Sequence, residues 1–227
     1  MRFTIPAQRS SLLWCLLCAP LLAQPPDLRG IWMAKGTAYL DVEKAGAVVE
    51  GKIPYLPEAQ ERRKTNFQGR DKLDPQVRCF QAGIPRATAL NTPFQIFQNA
   101  SSLYFVYQDA HAYRIAYLDR PKHNDGLPFA MGDSRAHWEG NTLVVDVASF
   151  SGDTWLDRSG NYHSDALHVV ERYTRQDATT LLYEARLEDP KVYARPWTLR
   201  LTLKPFQGEI KEDECEETSA GRRHAKN

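Results

Sequence analysis

The sequence predicts an all-β domain, an antiparallel barrel with one short helix, on three observations. Short segments alternate apolar and polar residues with period two. Gly, Asn, Asp and Pro punctuate those segments at hairpin spacing. A chain of 227 residues carries roughly eight to ten of them, the number that a closed sheet or a sandwich uses.

The alternation is cleanest near the end of the chain. Trp197, Leu199, Leu201 and Leu203 alternate with Thr198, Arg200, Thr202 and Lys204, the pattern of an antiparallel strand with one face on the core. Similar strands are expected at Leu103–Gln108, His111–Leu118, Thr142–Val147, Ala166–Arg175 and Thr180–Glu188. Shorter ones are expected at Gly30–Met33, Ala38–Val42, Val48–Lys52 and Phe94–Gln98. Glu139-Gly140-Asn141 and Gln176-Asp177-Ala178 read as tight hairpin connections. The helix is expected at Glu58–Phe67, inside a charged, irregular, Pro-flanked stretch between Lys52 and Arg86 that would lie as a lid across one end of the fold.

Sequential hairpins close a sheet without leaving edges, which favours a barrel. A β-sandwich buries alternate residues in the same way and is the alternative. Gly30-Ile31-Trp32 resembles the Gly-x-Trp of lipocalins, where the Trp plugs the barrel floor; an ordinary core Trp fits the same residues. The expected fold is thus lipocalin-like (calycin-type), one domain over residues 24–215 with a disordered tail at 216–227.

Arg2 and Arg9, the apolar run from Leu12 to Ala23 and the polar Gln24-Pro25-Pro26-Asp27 have the layout of a secretory signal peptide over residues 1–23. Leu21 is bulkier than usual at the −3 position. The run is shorter than the roughly 20 residues a membrane-spanning helix needs, and no other stretch is long and apolar enough, so the mature chain is expected in the periplasm or outside the cell. The net charge of +1 gives no electrostatic argument for nucleic acid or an anionic membrane. Arg62-Arg63-Lys64 reads as a solvated helix face. The oligomeric state is open.

Loss of the leader removes Cys15 and Cys18 and leaves Cys79 and Cys215. In an oxidising compartment these most simply form one disulfide. On the chain-entropy model a loop of that size is worth up to about 5 kcal/mol.

Candidate chemistry concentrates in Trp155–Asp165 and the strand that follows. Projected with period two, one face of that strand carries Asp165, Leu167, Val169, Glu171 and Tyr173, the other Ala166, His168, Val170 and Arg172. The first is the more apolar, which puts Glu171 inside. A buried carboxylate must be paired or protonated; Glu171 is either a proton-transfer group with a raised pKa or the partner of an inward arginine. His163 and Asp165 stand at the mouth of the strand, with Trp155 and Asp157 just before. In the catalytic reading Glu171 is the acid or base, His163 its proton partner and Asp157 the residue that orients His163. Trp155, His111, Asp165 and Arg172 complete the candidate ligand-binding set. Asp153, Asp157 and Asn161 do not match a calcium loop, and no histidine pair has ligand spacing, so no metal is expected. Phosphate loops, a nucleophile elbow and the Rossmann fingerprint are absent, so no cofactor is expected.

Trp138-Glu139-Gly140-Asn141-Thr142-Leu143-Val144-Val145-Asp146 and the run Trp155-Leu156-Asp157 … His163-Ser164-Asp165-Ala166-Leu167 … Glu171-Arg172-Tyr173 resemble a family of secreted proteins from soil and environmental bacteria. The resemblance extends from Cys79-Phe80 … Gly83-Ile84-Pro85-Arg86 to Pro196-Trp197 and Cys215. It implies export and a β-rich fold and brings no activity with it. The expectation is an exported β-barrel enzyme that acts on a small, partly apolar molecule by cofactor-free acid–base chemistry, as hydrolase, lyase or isomerase. The alternative is a carrier of an apolar ligand or glycan.

Overall fold

The computed structural model describes residues 25–212, apart from 125, together with the backbone of 215–218 and 221–224. The expected leader, with Cys15 and Cys18, lies outside the described residues. Nine strands close into one barrel: β1 (Gly30–Ala34), β2 (Phe94–Gln98), β3 (Ser102–Tyr107), β4 (Tyr113–Tyr117), β5 (Asp133–Glu139), β6 (Thr142–Ala148), β7 (His168–Asp177), β8 (Thr180–Glu188) and β9 (Trp197–Pro205). Each pairs with its sequence neighbour, and β1 closes the ring on β9. Every junction is antiparallel except β4 with β5, which run parallel over Ala116↔Ser134 and Tyr117↔Arg135. An odd number of strands cannot alternate direction all the way round, so a nine-stranded ring needs such a junction. The segment from Leu118 to Gly132 provides it by carrying the chain back along the barrel.

The inward faces follow from the alternation. Val169, Glu171 and Tyr173 on β7 are buried, as are Leu181, Tyr183, Ala185 and Leu187 on β8 and the four apolar residues of β9. Register places Glu171 between Val145 and Ala185, and Tyr173 between Leu143 and Tyr183. Each large apolar side chain enclosed this way contributes about 1.5–3 kcal/mol. Trp32 plugs the core from β1, its indole N–H donating to the Leu28 carbonyl at 3.0 Å, with the Arg175 guanidinium 5.1 Å from its ring.

Several elements differ from expectation. Ala38–Val42 and Val48–Lys52 form turns, with Val48 making a single bridge to Leu199. The Asp41 carboxylate accepts from the Glu43 and Lys44 amides at 3.1 Å, the local competition by which Asp displaces strand pairing. β5 does not show in the alternation, because Asp133 and Arg135 are both buried, ion-paired at 2.8 Å. His111 does not open β4: it sits in a 3-10 turn (Asp109–His111) with φ 49°.

The helix is longer than expected: α1 spans Pro57–Leu73. Proline suits its first turn, and Asp74-Pro75 ends it because a residue before proline is pushed out of helical geometry. It is polar on nearly every side, with Ala59 and Asn66 its buried residues, so its position comes from specific polar contacts with the loop 155–163. Asn66 donates to the Gly160 carbonyl at 3.2 Å, and Arg63 donates to Asn161 and Ser159 at 3.3 and 3.2 Å. A Cβ on Gly160 (φ 83°) would lie 2.7 Å from the Phe67 amide nitrogen, so this approach requires glycine.

A 3-10 turn (Pro75–Arg78) and a short helix α2 (Arg86–Ala89) follow. They are clamped by a buried bidentate pair, Arg86 to both Asp74 oxygens at 2.8 Å. Cys79, in left-handed geometry (φ 60°), is disulfide-bonded. The tail expected to be disordered holds a hairpin, β10 (Cys215–Thr218) with β11 (Gly221–His224), which packs against the 75–78 turn. Its register sets Glu216 opposite Arg223 and Glu217 opposite Arg222. The side chain of Cys215 lies outside those described. No helix among the described residues is long and apolar enough to cross a membrane.

Candidate functional site

With β1 drawn upward, the β1–β2, β6–β7 and β8–β9 connections all fall at the same end of the barrel. They assemble the candidate site. The β6–β7 connection folds back on itself through a bridge between Trp155 and Tyr162 and a Leu156 N–H to Asn161 carbonyl bond of 2.7 Å. At its centre the fully buried Asp157 carboxylate accepts from the Val42 amide (2.9 Å), the Ser159 amide and hydroxyl (both 2.9 Å) and the Asn161 side-chain amide (2.7 Å). Burial still pushes the Asp157 pKa up, against these bonds. Asp157 therefore does not touch His163, contrary to the role expected for it. It closes the loop, and the 155↔162 register then puts residue 154 opposite residue 163.

That register creates a side-chain pair which spacing alone did not reveal. The Thr154 hydroxyl lies 2.7 Å from His163 Nε2. The other nitrogen, Nδ1, is 2.8 Å from the Ser164 carbonyl, which can only accept, so Nδ1 carries the hydrogen. In the neutral ring Nε2 is then an acceptor, and Thr154 donates to it. Burial lowers the His163 pKa, opposed by the Ser164 bond and by the charges of Asp189 and Asp153; the ring is neutral at pH 7 and available as a base. The Ser164 peptide is itself held by buried Asp189, which accepts its amide at 2.6 Å and its hydroxyl at 2.8 Å. The Phe150 ring meets the imidazole edge-on at 5.5 Å.

Thr154 and His163 form part of the wall of a cleft of about 400 Å³, between α1, the turn at 75–80 and the 152–163 loop. Arg62, Arg78, Phe80, Asp153, Trp155 and Tyr162 also line it. Gly83 supports the pair from behind: a Cβ there would fall 2.3 Å from the Thr154 Oγ1 and 2.9 Å from the Ala130 carbonyl oxygen, at φ +73°.

Of the residues singled out in the sequence, His163 and Trp155 share this cleft. Glu171 does not. It is wholly buried inside the barrel, and the inward-arginine reading is the one realised. Arg114 donates to its two oxygens at 2.5 and 3.0 Å, and the Tyr173 and Tyr183 hydroxyls donate to Oε1 at 3.1 and 2.8 Å. Burial opposes the Arg114 charge, but Glu171 and the surrounding tyrosines outweigh it and the guanidinium pKa is raised. Asp165 is exposed and ion-paired with Lys191 at 2.7 Å, which holds its pKa down. Arg172 is half-buried and ion-paired with Glu139 at 2.8 Å. His111 is exposed and lines none of the clefts described. These three, expected in the ligand-binding set, do not converge with His163.

Two other clefts flank the fold. One of about 360 Å³ includes Lys44, Arg70 and Arg158; one of about 320 Å³ lies along the β4–β5 junction. Outside the barrel wall, Asp146 bridges His168 at 2.9 Å and His123 at 2.6 Å. The His168 bond lowers the Asp146 pKa and raises that of His168. Among the described residues no group of three or more His, Cys, Asp or Glu is placed to hold a metal ion.

Fold and site together define a closed nine-stranded, predominantly antiparallel barrel bearing a hydroxyl–imidazole cleft at one end. No protein-family model, curated protein or solved structure matches the chain.

Proposed function

We propose that the mature chain is an exported enzyme that hydrolyses a small, partly apolar ester by cofactor-free acid–base chemistry in the Thr154–His163 cleft. The observation that carries this reading is the 2.7 Å contact between the Thr154 hydroxyl and His163 Nε2, with Nδ1 committed to a carbonyl. A hydroxyl donating to a neutral imidazole is the arrangement that activates an oxygen nucleophile. Nε2 takes the hydroxyl proton as Oγ1 bonds to the acyl carbon. The imidazolium returns that proton to the departing alkoxide as the carbon–oxygen bond of the ester breaks. A water, deprotonated by the same nitrogen, then releases the acyl group and restores the Thr154 hydroxyl. Asp189 acts through Ser164, fixing the carbonyl that orients the ring and favouring the imidazolium by its charge. Trp155 and Phe80 supply apolar wall.

The hydroxyl–imidazole pair favours acyl transfer over the lyase and isomerase alternatives, neither of which uses a nucleophilic alcohol. Carriage of an apolar ligand in the lumen draws no support at the level of Glu171, where Arg114, Tyr173 and Tyr183 fill the space. We also propose Cys215 as the partner of Cys79, since β10 packs beside the turn that precedes Cys79; this bridge would fix the Phe80 wall. The resemblance to secreted bacterial proteins and the leader-like N-terminus support export.

The test is turnover of a panel of small aryl and alkyl esters by the mature, oxidised protein. His163→Gln and Thr154→Val are expected to lower kcat/KM by at least about 100-fold, the usual worth of a proton-transfer group, while Thr154→Ser retains most of it. Mass spectrometry of a rapidly quenched reaction is expected to place the acyl group on Thr154. Turnover that survives both His163→Gln and Thr154→Val within tenfold, or a wild type inert toward the whole panel, overturns the proposal.

A further inference from the structure

The two arginines of the cleft have no place in the proton chemistry just described. Arg62 projects from α1 with its guanidinium carbon 4.5 Å from the Tyr162 ring centroid, and Arg78 lies 5.5 Å from the Phe80 centroid. Among the described residues neither guanidinium makes an ion pair or a hydrogen bond. Their neighbours behave differently: Arg63 is bound to Asn161 and Ser159, Arg158 to Asp71, and Arg86 to Asp74. Of the twelve lining residues Asp153 alone is acidic, and it pairs with neither arginine. With His163 neutral, two guanidinium groups against one carboxylate leave the cleft net positive.

An arginine stacked on an aromatic face is held in position by the ring quadrupole while its N–H fork stays free. Two such forks beside one hydroxyl–imidazole pair form a receptor for a planar oxyanion, which guanidinium binds bidentately. Phe80 and Trp155, which line the same cleft, suit a short hydrocarbon spacer. We infer that the substrate is an anionic ester, an acyl compound whose far end carries a carboxylate or similar oxyanion seated on Arg62 and Arg78 while its ester carbonyl faces Thr154. This rests on the hydrolytic reading above and names the substrate class of that same site. Arg62 and Arg78 bind the far end of the substrate in it, away from the bond that breaks.

The experiment compares a matched pair of chromogenic esters, 4-nitrophenyl butyrate, which is neutral, and mono-4-nitrophenyl glutarate, which adds a terminal carboxylate. In the wild type the anionic ester is expected to have kcat/KM at least tenfold higher at low salt, most of the difference lying in KM. The preference is expected to shrink at 0.5 M salt, where exposed charges are screened, and to collapse in the double variant Arg62→Gln/Arg78→Gln. Equal rates on the two esters, or a preference that survives the double substitution, overturn the inference and leave the hydrolytic reading standing. Failure of that reading is separated by a binding measurement that needs no turnover: calorimetric titration of glutarate into His163→Gln protein with and without the two arginine substitutions. A tenfold or greater weakening in the arginine-substituted protein supports the anion site even if neither ester is hydrolysed. Equal affinity, or no binding in either, overturns it.

Discussion

Replacing Glu171 with Gln changes one atom and removes one charge from the middle of the barrel. The carboxylate accepts four hydrogen bonds, two from Arg114 and one each from the Tyr173 and Tyr183 hydroxyls. A glutamine keeps Oε1 for the tyrosines but turns an amide N–H₂ toward the guanidinium, donor against donor. Arg114 would then be a buried cation with no counter-charge, and its Nε already lacks a partner. Breaking a buried ion pair from one side costs about 3–5 kcal/mol. For a domain of this size each kcal/mol is worth roughly 2–4 °C in Tm, so the variant should melt about 10 °C lower. Urea unfolding of the oxidised protein, followed by tryptophan fluorescence, gives the free energy directly. The pair Arg114→Met and Glu171→Leu should be less harmful together than their separate losses added, with a coupling of about 2 kcal/mol or more, because an apolar replacement leaves no stranded charge. A loss under about 1 kcal/mol for Glu171→Gln, or strict additivity in the double variant, would refute the assignment of this pair as the polar core of the barrel.

His163 carries a pH prediction. Its folded pKa lies below the ordinary value of about 6.5 because burial disfavours the imidazolium. The folded protein therefore binds less proton than the unfolded chain below that pH: the stability contribution is complete above about 6.5 and is lost as pH falls toward the folded pKa. Nitrogen NMR of the labelled imidazole is expected to show one tautomer, protonated at Nδ1, at pH 7 and above; a pKa at or above 6.5 contradicts the burial argument. Gly83→Ala should drive Thr154 off Nε2, since the new Cβ would sit 2.3 Å from its oxygen at a backbone φ of +73°. The expected result is a loss of about 1–3 kcal/mol from strain and displacement, seen in urea unfolding, together with lost turnover. Unchanged values in both would mean that the pair tolerates displacement.

Much of this architecture is legible in alternation. The inward face of β7, the β8 and β9 faces and both hairpins are readable because each strand sets apolar residues against polar ones at period two. Where the pattern fails, a specific contact explains it. β5 turns Ser134, Ala136 and Trp138 to the core and buries the ion-paired Asp133 and Arg135 on its other face, so burial there does not follow polarity. α1 has no apolar stripe because it is held by hydrogen bonds to a loop rather than by a hydrophobic seam. Ala38–Val42 looks like a strand until the Asp41 side chain claims the amides that a ladder would use. The burial of Glu171 is readable and its partner is not, because Arg114 comes from 57 residues away on a strand whose apolar-looking face, Tyr113, Ile115 and Tyr117, is the outer one. The same limit hid the candidate site. Thr154 has no distinguishing sequence context, and Asp189 reaches His163 only through the Ser164 peptide. What sequence could have offered is the pairing of Trp155 with Tyr162, two aromatics flanking a turn of Asp, Ser, Gly and Asn, from which the 154↔163 register follows.

The rungs that close the ring, Trp32↔Pro205, Met33↔Lys204 and Ala34↔Leu203, join the first strand made to the last. A chain emerging from a ribosome or a translocation pore can zip β2 onto β3, and β5 through β9 in turn, as each appears. It cannot complete the circumference until Pro205 is out. Until then the growing sheet keeps two naked borders, one on β1 and one on its newest strand, whose amides and carbonyls are free to pair with a neighbouring nascent chain. β1 spends nearly the whole of synthesis waiting for the strand that completes it.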